Sequence, residues 1–254
     1  MRLTLPKFKP EEIKPFRTIL IIGKRGTGKS VLLEDILYHL RSHVDFGIFC
    51  TPTMDSKEMF TKHVPHSWVH EFKPELVESL SRTQRSMAVV KKRRMILVLD
   101  DCNADKRMWK SVGLRDIMYN GRHEKICFIS SMQYCLDCPP DIRTNIDYVF
   151  ALRDIVLANK QRLHKYFFGC FNRFDDFDRV LSDVTDNYGV LCLDNTCKTN
   201  NLTDMLSWYR ASPNLPEFRL GKPVFWKLDA CSITRTPEKT DRDERIHDVH
   251  KENE

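Results

Sequence analysis

TILIIGKRGTGKS, residues 18–30, sets a short apolar and β-branched run against three glycines, two lysines and a terminal hydroxyl. The run is apolar on both of its faces, which is the pattern of a strand buried in a parallel sheet. Leu33, Leu37 and Leu40 then recur at helical spacing over 30–43. Strand, glycine turn and helix follow one another. Gly23, Lys24, Arg25, Gly26, Thr27, Gly28, Lys29 and Ser30 fit G-x-x-x-x-G-K-[ST], the phosphate-binding P-loop pattern. Its chemistry is plain. Glycines permit the backbone angles that turn successive N–H groups inward, and the following helix offers its N-terminal donors. Lys29 is placed for the β and γ phosphates of ATP, and the Ser30 hydroxyl for Mg²⁺.

Further along, apolar strands and helical periodicity keep alternating. Residues 46–50, 95–99, 126–130 and 148–152 read as strands, 68–72 as a short one, and 74–90, 106–119, 157–168 and 174–184 as helices. Residues 189–193 read as extended. The alternation predicts an α/β fold with a mostly parallel central sheet and helices on both faces. An N-terminal extension (1–17), an ATPase core (18–228) and a charged tail (229–254) divide the chain. The last 19 residues, 236–254, hold seven acids and four bases, net −3, which leaves +9 on the remainder of a chain of formal charge +6. Such a tail has little to bury and is expected to be disordered, while the basic remainder suits a polyanionic partner.

Two acids end the most apolar strand, MILVLDD at 95–101. Ligands bind at the carboxyl ends of strands in open α/β sheets, so Asp100 is placed to hold Mg²⁺ and Asp101 to orient or deprotonate an attacking water. The strand at 126–130 runs on into Ser131 and Gln133, and the Gln133 amide suits a place between water and the γ-phosphate. Lys91, Lys92, Arg93 and Arg94 form the densest basic run. It reads either as a contact for a polyanion's phosphate backbone or as a solvated helix end. Cys135 and Cys138 have zinc-knuckle spacing, but Cys192 and Cys197 are five apart and no histidine pattern joins them, so nine scattered cysteines are expected to be ordinary reduced thiols. No apolar run is long enough to span a membrane, and 1–16 is too broken by proline and acid for a signal peptide; an intracellular protein is expected.

GKRGTGKS, ILVLDD, NGRHEKICFISSMQY, PPDIRTNIDYVFALRD and SWYRA together resemble the DNA-packaging ATPases of nucleocytoplasmic large DNA viruses, the poxvirus-type branch of the FtsK/HerA superfamily. The resemblance spans about 16–226, and MQY, IRTNIDYVF and WYRA are its most particular segments. It implies a RecA-like P-loop NTPase, an oligomeric ring, and ATP-driven movement of double-stranded DNA, without regard to sequence, into a preformed capsid. It also implies work at the assembly site in the host cytoplasm, with capsid or membrane-associated virion proteins as further partners. Ring motors of this kind draw an arginine from the neighbouring subunit; Arg122 and Arg143 compete for that role, with Arg153 a third choice. One departure is the acid pair, because the wider superfamily often carries Asp-Glu and Asp101 reaches about one carbon less far. A P-loop kinase and a nucleotide-binding assembly scaffold are the alternative readings.

Overall fold

The computed structural model describes residues 4–104 and 108–233. The charged segment 236–254 lies outside the described residues. Eight strands form one sheet: β1 (Thr18–Ile22), β2 (Phe46–Cys50), β3 (Val69–His70), β4 (Met95–Asp100), β5 (Ile126–Met132), β6 (Tyr148–Ala151), β7 (Val190–Asp194) and β8 (Leu206–Tyr209). Their order is β3-β2-β4-β5-β1-β6-β7-β8. Every pairing from β3 to β6 is parallel, and β7 and β8 add antiparallel strands beyond β6. Helices α1 (Lys29–Leu40), α2 (Met54–Thr61), α3 (Pro74–Ser86), α4 (Val112–Asn120), α5 (Pro140–Arg143), α6 (Leu157–Tyr166), α7 (Phe174–Val184), α8 (Leu202–Met205) and α9 (Pro223–Ile233) complete the fold.

The central strands are apolar over most of their length because both of their faces are covered, and their polar residues gather mainly at the carboxyl ends, Asp100 of β4 and Ser130 and Ser131 of β5. All residues of β1, β4 and β5 are buried. Side chains alternate across a strand, so the sheet separates two cores. On one side Ile19, Ile21, Ile96, Val98 and Ile129 meet Leu33, Ile36, Leu37 and Leu40 of α1. On the other, Leu20, Leu97, Leu99 and Phe128 meet Val77 and Leu80 of α3, Leu114 and Ile117 of α4, and Phe177 and Leu181 of α7.

Most strand boundaries agree with the sequence reading, but the expected strand 68–72 shrinks to Val69–His70 and β8 is not among the expected strands; helix ends differ more. The expected helix 74–90 stops at Ser86, with a 3-10 turn at Val89–Lys91. Residues 106 and 107 of the expected helix 106–119 lie outside the described residues; the remainder divides into a 3-10 turn at Met108–Lys110 and α4, where the Ser111 hydroxyl accepts from the Leu114 amide as a cap. A capping serine starts a helix rather than continuing one.

Residues 4–17 pack onto the core. Leu5 and Ile13 are buried, one in each core. The Phe8 ring meets Tyr148, Phe150 and Tyr209 edge-on. Main-chain hydrogen bonds from Trp208 to Pro6 (2.9 Å) and from Phe8 to Trp208 (2.8 Å) lay this segment along β8, the outermost strand.

Candidate functional site

An open cleft of about 840 Å³ lies at the carboxyl edge of the parallel strands, and the P-loop forms its floor. Three glycines shape that loop. Gly26 and Gly28 have φ of +79° and +97°, a region that side chains other than glycine rarely enter. Gly23 lacks room for a Cβ, which would approach Thr27 Oγ1 at 2.7 Å and Leu152 Cβ at 2.8 Å. The Thr27 hydroxyl donates to the Lys24 carbonyl at 2.7 Å and closes the turn. Gly28 sits in the N-cap position of α1 and supplies no side-chain cap, so first-turn N–H groups of that helix remain for an anion.

Register explains how the acids arrive. Asp100 of β4 stands opposite Ser131 of β5, and Ser131 stands opposite Ile21 of β1. The alternation that sends Val98 and Ile129 toward α1 sends Asp100 and Ser131 the same way. There the Ser131 hydroxyl donates to Asp100 Oδ1 and accepts from the Asp101 amide at 3.2 Å. Ser56 of α2 donates to the second oxygen, Oδ2, at 2.6 Å. Asp100 is buried, and both of its oxygens are held by hydroxyls.

Asp101 leaves the strand with φ of +49°, which turns its side chain toward the loop. Its Oδ2 lies 3.6 Å from Lys29 Nζ and accepts a long hydrogen bond, 3.5 Å, from Gln133 Nε2. Burial lifts the Asp101 carboxyl above the usual aspartate range; Lys29 opposes the shift and Asp100 adds to it. Lys29 is itself buried, whereas Gln133 is exposed.

The other expected residues are placed as follows. Lys24, Arg25, Gly26, Gly28 and Ser30 line the cleft with Lys29. Lys24 pairs with Asp154 at 3.2 Å, just beyond β6. Arg122 is at the opposite edge of the sheet, bonded to Asp147 at 2.9 Å together with Arg17 at 3.2 Å. The length of β1, roughly 17 Å for five residues, separates that edge from the P-loop. Arg143 donates to the Cys138 carbonyl at 2.8 Å and stacks over Tyr166, 4.2 Å from the ring centroid. Arg153 is exposed. Lys29, Asp100, Asp101 and Gln133 are thus brought together, while Arg122 and Arg143 lie away from them in the same subunit.

Several cleft residues are not among the expected site residues, although Arg210 falls within the WYRA segment. Asp55 and Ser56 come from the first turn of α2, with Thr53 just before it, and Asn187, Tyr188, Arg210 and Pro213 from the antiparallel end of the sheet. Of the basic run, Lys92 pairs with Glu124 with both side chains nearly buried, and Arg94 pairs with Asp45 at 2.8 Å. Cys135, Cys138 and Cys192 are buried, and burial pushes the Cys138 thiol up to about 12. No group of three or more His, Cys, Asp or Glu side chains suited to a metal ion occurs among the described residues.

A phosphate loop after β1, paired acids after β4 and an intervening strand define the P-loop NTPase class. Comparison gives the particular family. The family model described as "Poxvirus A32 protein" matches residues 7–166. The chain belongs to that family, in keeping with the resemblance to the poxvirus-type branch. Its relatives include uncharacterized protein L437 of Acanthamoeba polyphaga mimivirus, 29% identical over 206 residues and covering 76% of this chain and 72% of the relative. Uncharacterized protein 075L of Invertebrate iridescent virus 6 is 32% identical over 194 residues, covering 75% and 73%. Among solved structures, the genome packaging NTPase B204 from Sulfolobus turreted icosahedral virus 2, in complex with AMPPCP, superposes with a TM-score of 0.58 at 16% identity. That likeness covers 79% of this chain and all of B204, and it is one of fold.

Proposed function

We propose that this chain is an ATP-hydrolysing motor that moves double-stranded viral DNA into a preformed capsid. The observation that carries the reading is the meeting of Lys29, Asp100, Asp101 and Gln133 in one cleft, in a member of the poxvirus A32 family. The P-loop amides and Lys29 bind the β and γ phosphates. Ser30 and Asp100 are oxygen donors suited to Mg²⁺, which such sites bind through one or two protein oxygens alongside phosphates and water. The two hydroxyls on Asp100 fit this role, since they hold the carboxylate in a fixed orientation. Bound there, Mg²⁺ would neutralise charge developing on the phosphate oxygens.

Asp101 is the acceptor for the proton of the attacking water, and Gln133 orients that water. Asp101 is paired with Lys29 in this structure, so phosphates drawing Lys29 toward themselves would free the carboxylate for its base role. The base is a short one, and its raised pKa favours proton acceptance. Arg122 faces away from its own P-loop, so it acts on the cleft of a neighbour in a ring; Arg143, held by Cys138 and Tyr166, is the weaker choice. DNA is held through its phosphates, which suits a protein that must bind any sequence.

Steady-state hydrolysis with and without duplex DNA tests the reading. Stimulation by DNA, abolished in Lys29→Ala, supports the motor. Phosphate transfer to an added nucleoside points to a kinase instead. Packaging that persists in Asp101→Asn with hydrolysis blocked points to a scaffold.

A further inference from the structure

We propose that the nucleoside of the bound triphosphate is seated at the antiparallel end of the cleft, its base stacked on the ring of Tyr188 beside Arg210 and Pro213. This rests on the nucleotide-site reading above and extends it to the half of the ligand that the P-loop does not touch.

Tyr188 stands where phosphates give way to the rest of the molecule. A Cβ added at Gly28, the last residue before α1, would lie 3.4 Å from Tyr188 Cδ1. Beyond that point the cleft is walled by Tyr188, Val190, Ala211 and Pro213, with Asn187 and Arg210 as polar members. The tyrosine lines the cleft and is 66% exposed, so its ring is open to a ligand.

The backbone that presents it is unusual. Asn187 and Tyr188 have φ of +47° and +60° in succession. Asparagine tolerates that region, but tyrosine seldom enters it, and such outliers persist only where the surroundings enforce them. Here the enforcement is visible. Gly189 donates its amide to the Asp186 carbonyl at 3.0 Å, and a Cβ at Gly189 would fall 1.9 Å from the Val184 carbonyl oxygen. No other residue fits at 189, so the turn that aims Tyr188 is fixed.

The adjoining Arg210–Pro213 segment is fixed to the P-loop helix itself. Asp35 of α1 is buried, accepts from the Tyr209 hydroxyl, and accepts from the Ser212 amide at 3.5 Å. Those two bonds bracket Arg210 and Ala211. Arg210 in turn donates to the Asp186 carbonyl at 3.4 Å, tying the wall to the Tyr188 turn. Phosphate floor, tyrosine and arginine wall are therefore one connected body. An aromatic face, a guanidinium plane and a proline ring all favour a flat ring system over a sugar or peptide. This assigns a place to the WYRA segment, which the phosphate chemistry does not use.

Calorimetric titration of the full chain with ATP and with inorganic tripolyphosphate tests the assignment, in wild type, Tyr188→Ala, Tyr188→Phe and Lys29→Ala. Tyr188→Ala is expected to weaken ATP about 5- to 150-fold, the worth of one base stacked on an aromatic ring, and to leave tripolyphosphate unchanged. Tyr188→Phe retains the ring and should bind ATP as wild type does. Equal ATP affinity in Tyr188→Ala and wild type overturns the assignment, as does a parallel loss of both ligands. Wild type binding neither ligand, or Lys29→Ala binding both undiminished, would instead bring down the nucleotide site and the seat with it.

Discussion

The Ser56 hydroxyl donates to Asp100 Oδ2 across 2.6 Å and so joins the first turn of α2 to the acid strand. Asp100 then has one oxygen fixed by a strand neighbour, Ser131, and the other by a helix 44 residues away in sequence. A hydrogen bond to a charged group is worth about 1.5–3 kcal/mol, so Ser56→Ala should reduce ATP turnover roughly 10- to 100-fold. Because Ser56 lies at the rim, the melting temperature should change little. Ser56→Thr should restore most of the activity.

Asp101→Asn should abolish hydrolysis while ATP binding, read by calorimetry, persists. The wild-type pH profile supplies an independent check. Burial raises the Asp101 pKa above the 3.8 of an exposed aspartate. The acid limb of kcat/KM should therefore fall at a higher pH than a solvent-exposed carboxylate would give. An acid limb near pH 4 would remove Asp101 from the base role.

Arg122→Ala should leave ATP binding by isolated subunits intact and reduce hydrolysis of the assembled protein on the order of 10³-fold. Its pair with Asp147 is more than half exposed on the arginine side, so the loss of stability should stay below about 1 kcal/mol. Mixing Arg122→Ala with Lys29→Ala subunits should recover activity, since each supplies what the other lacks. A mixture no better than its components would assign the arginine elsewhere.

Tyr209→Phe removes the strongest partner of a buried carboxylate, and a loss of about 1–3 kcal/mol is expected. Burial raises the Asp35 pKa despite that hydrogen bond. A raised carboxyl binds its proton more tightly in the folded state than in the unfolded one. Stability contributed by Asp35 is thus fully present below the unfolded value and declines as pH rises through the folded one. Melting curves between pH 4 and 7 should show this slope in wild type and lose it in Asp35→Asn.

Much of this was legible in the sequence. TILII and MILVL are apolar on both faces, which forces buried parallel strands, and G-x-x-x-x-G-K-S fixes a phosphate loop. What stayed hidden depends on distance along the chain. Ser56 and Asp100 meet only because β2 and β4 are neighbours. Tyr188 and Gly28 meet only because an antiparallel end extends the sheet past β6. Lys92 and Arg94 read as part of a basic run, yet their partners, Glu124 and Asp45, lie 32 and 49 residues off. The left-handed backbone of Asp101 has no local sequence cause, since glycine is the usual occupant of such a conformation.

Pro6 to Phe8, laid along β8, have a bearing on how copies of this chain can meet. The opposite margin of the sheet is the two-residue strand β3. Among the described residues, neither rim offers a long unpaired ladder of amides and carbonyls, so lengthening of the sheet from one copy to the next is disfavoured. Deleting the first eight residues would uncover the ladder of β8, and the shortened chain should be recovered as insoluble aggregate.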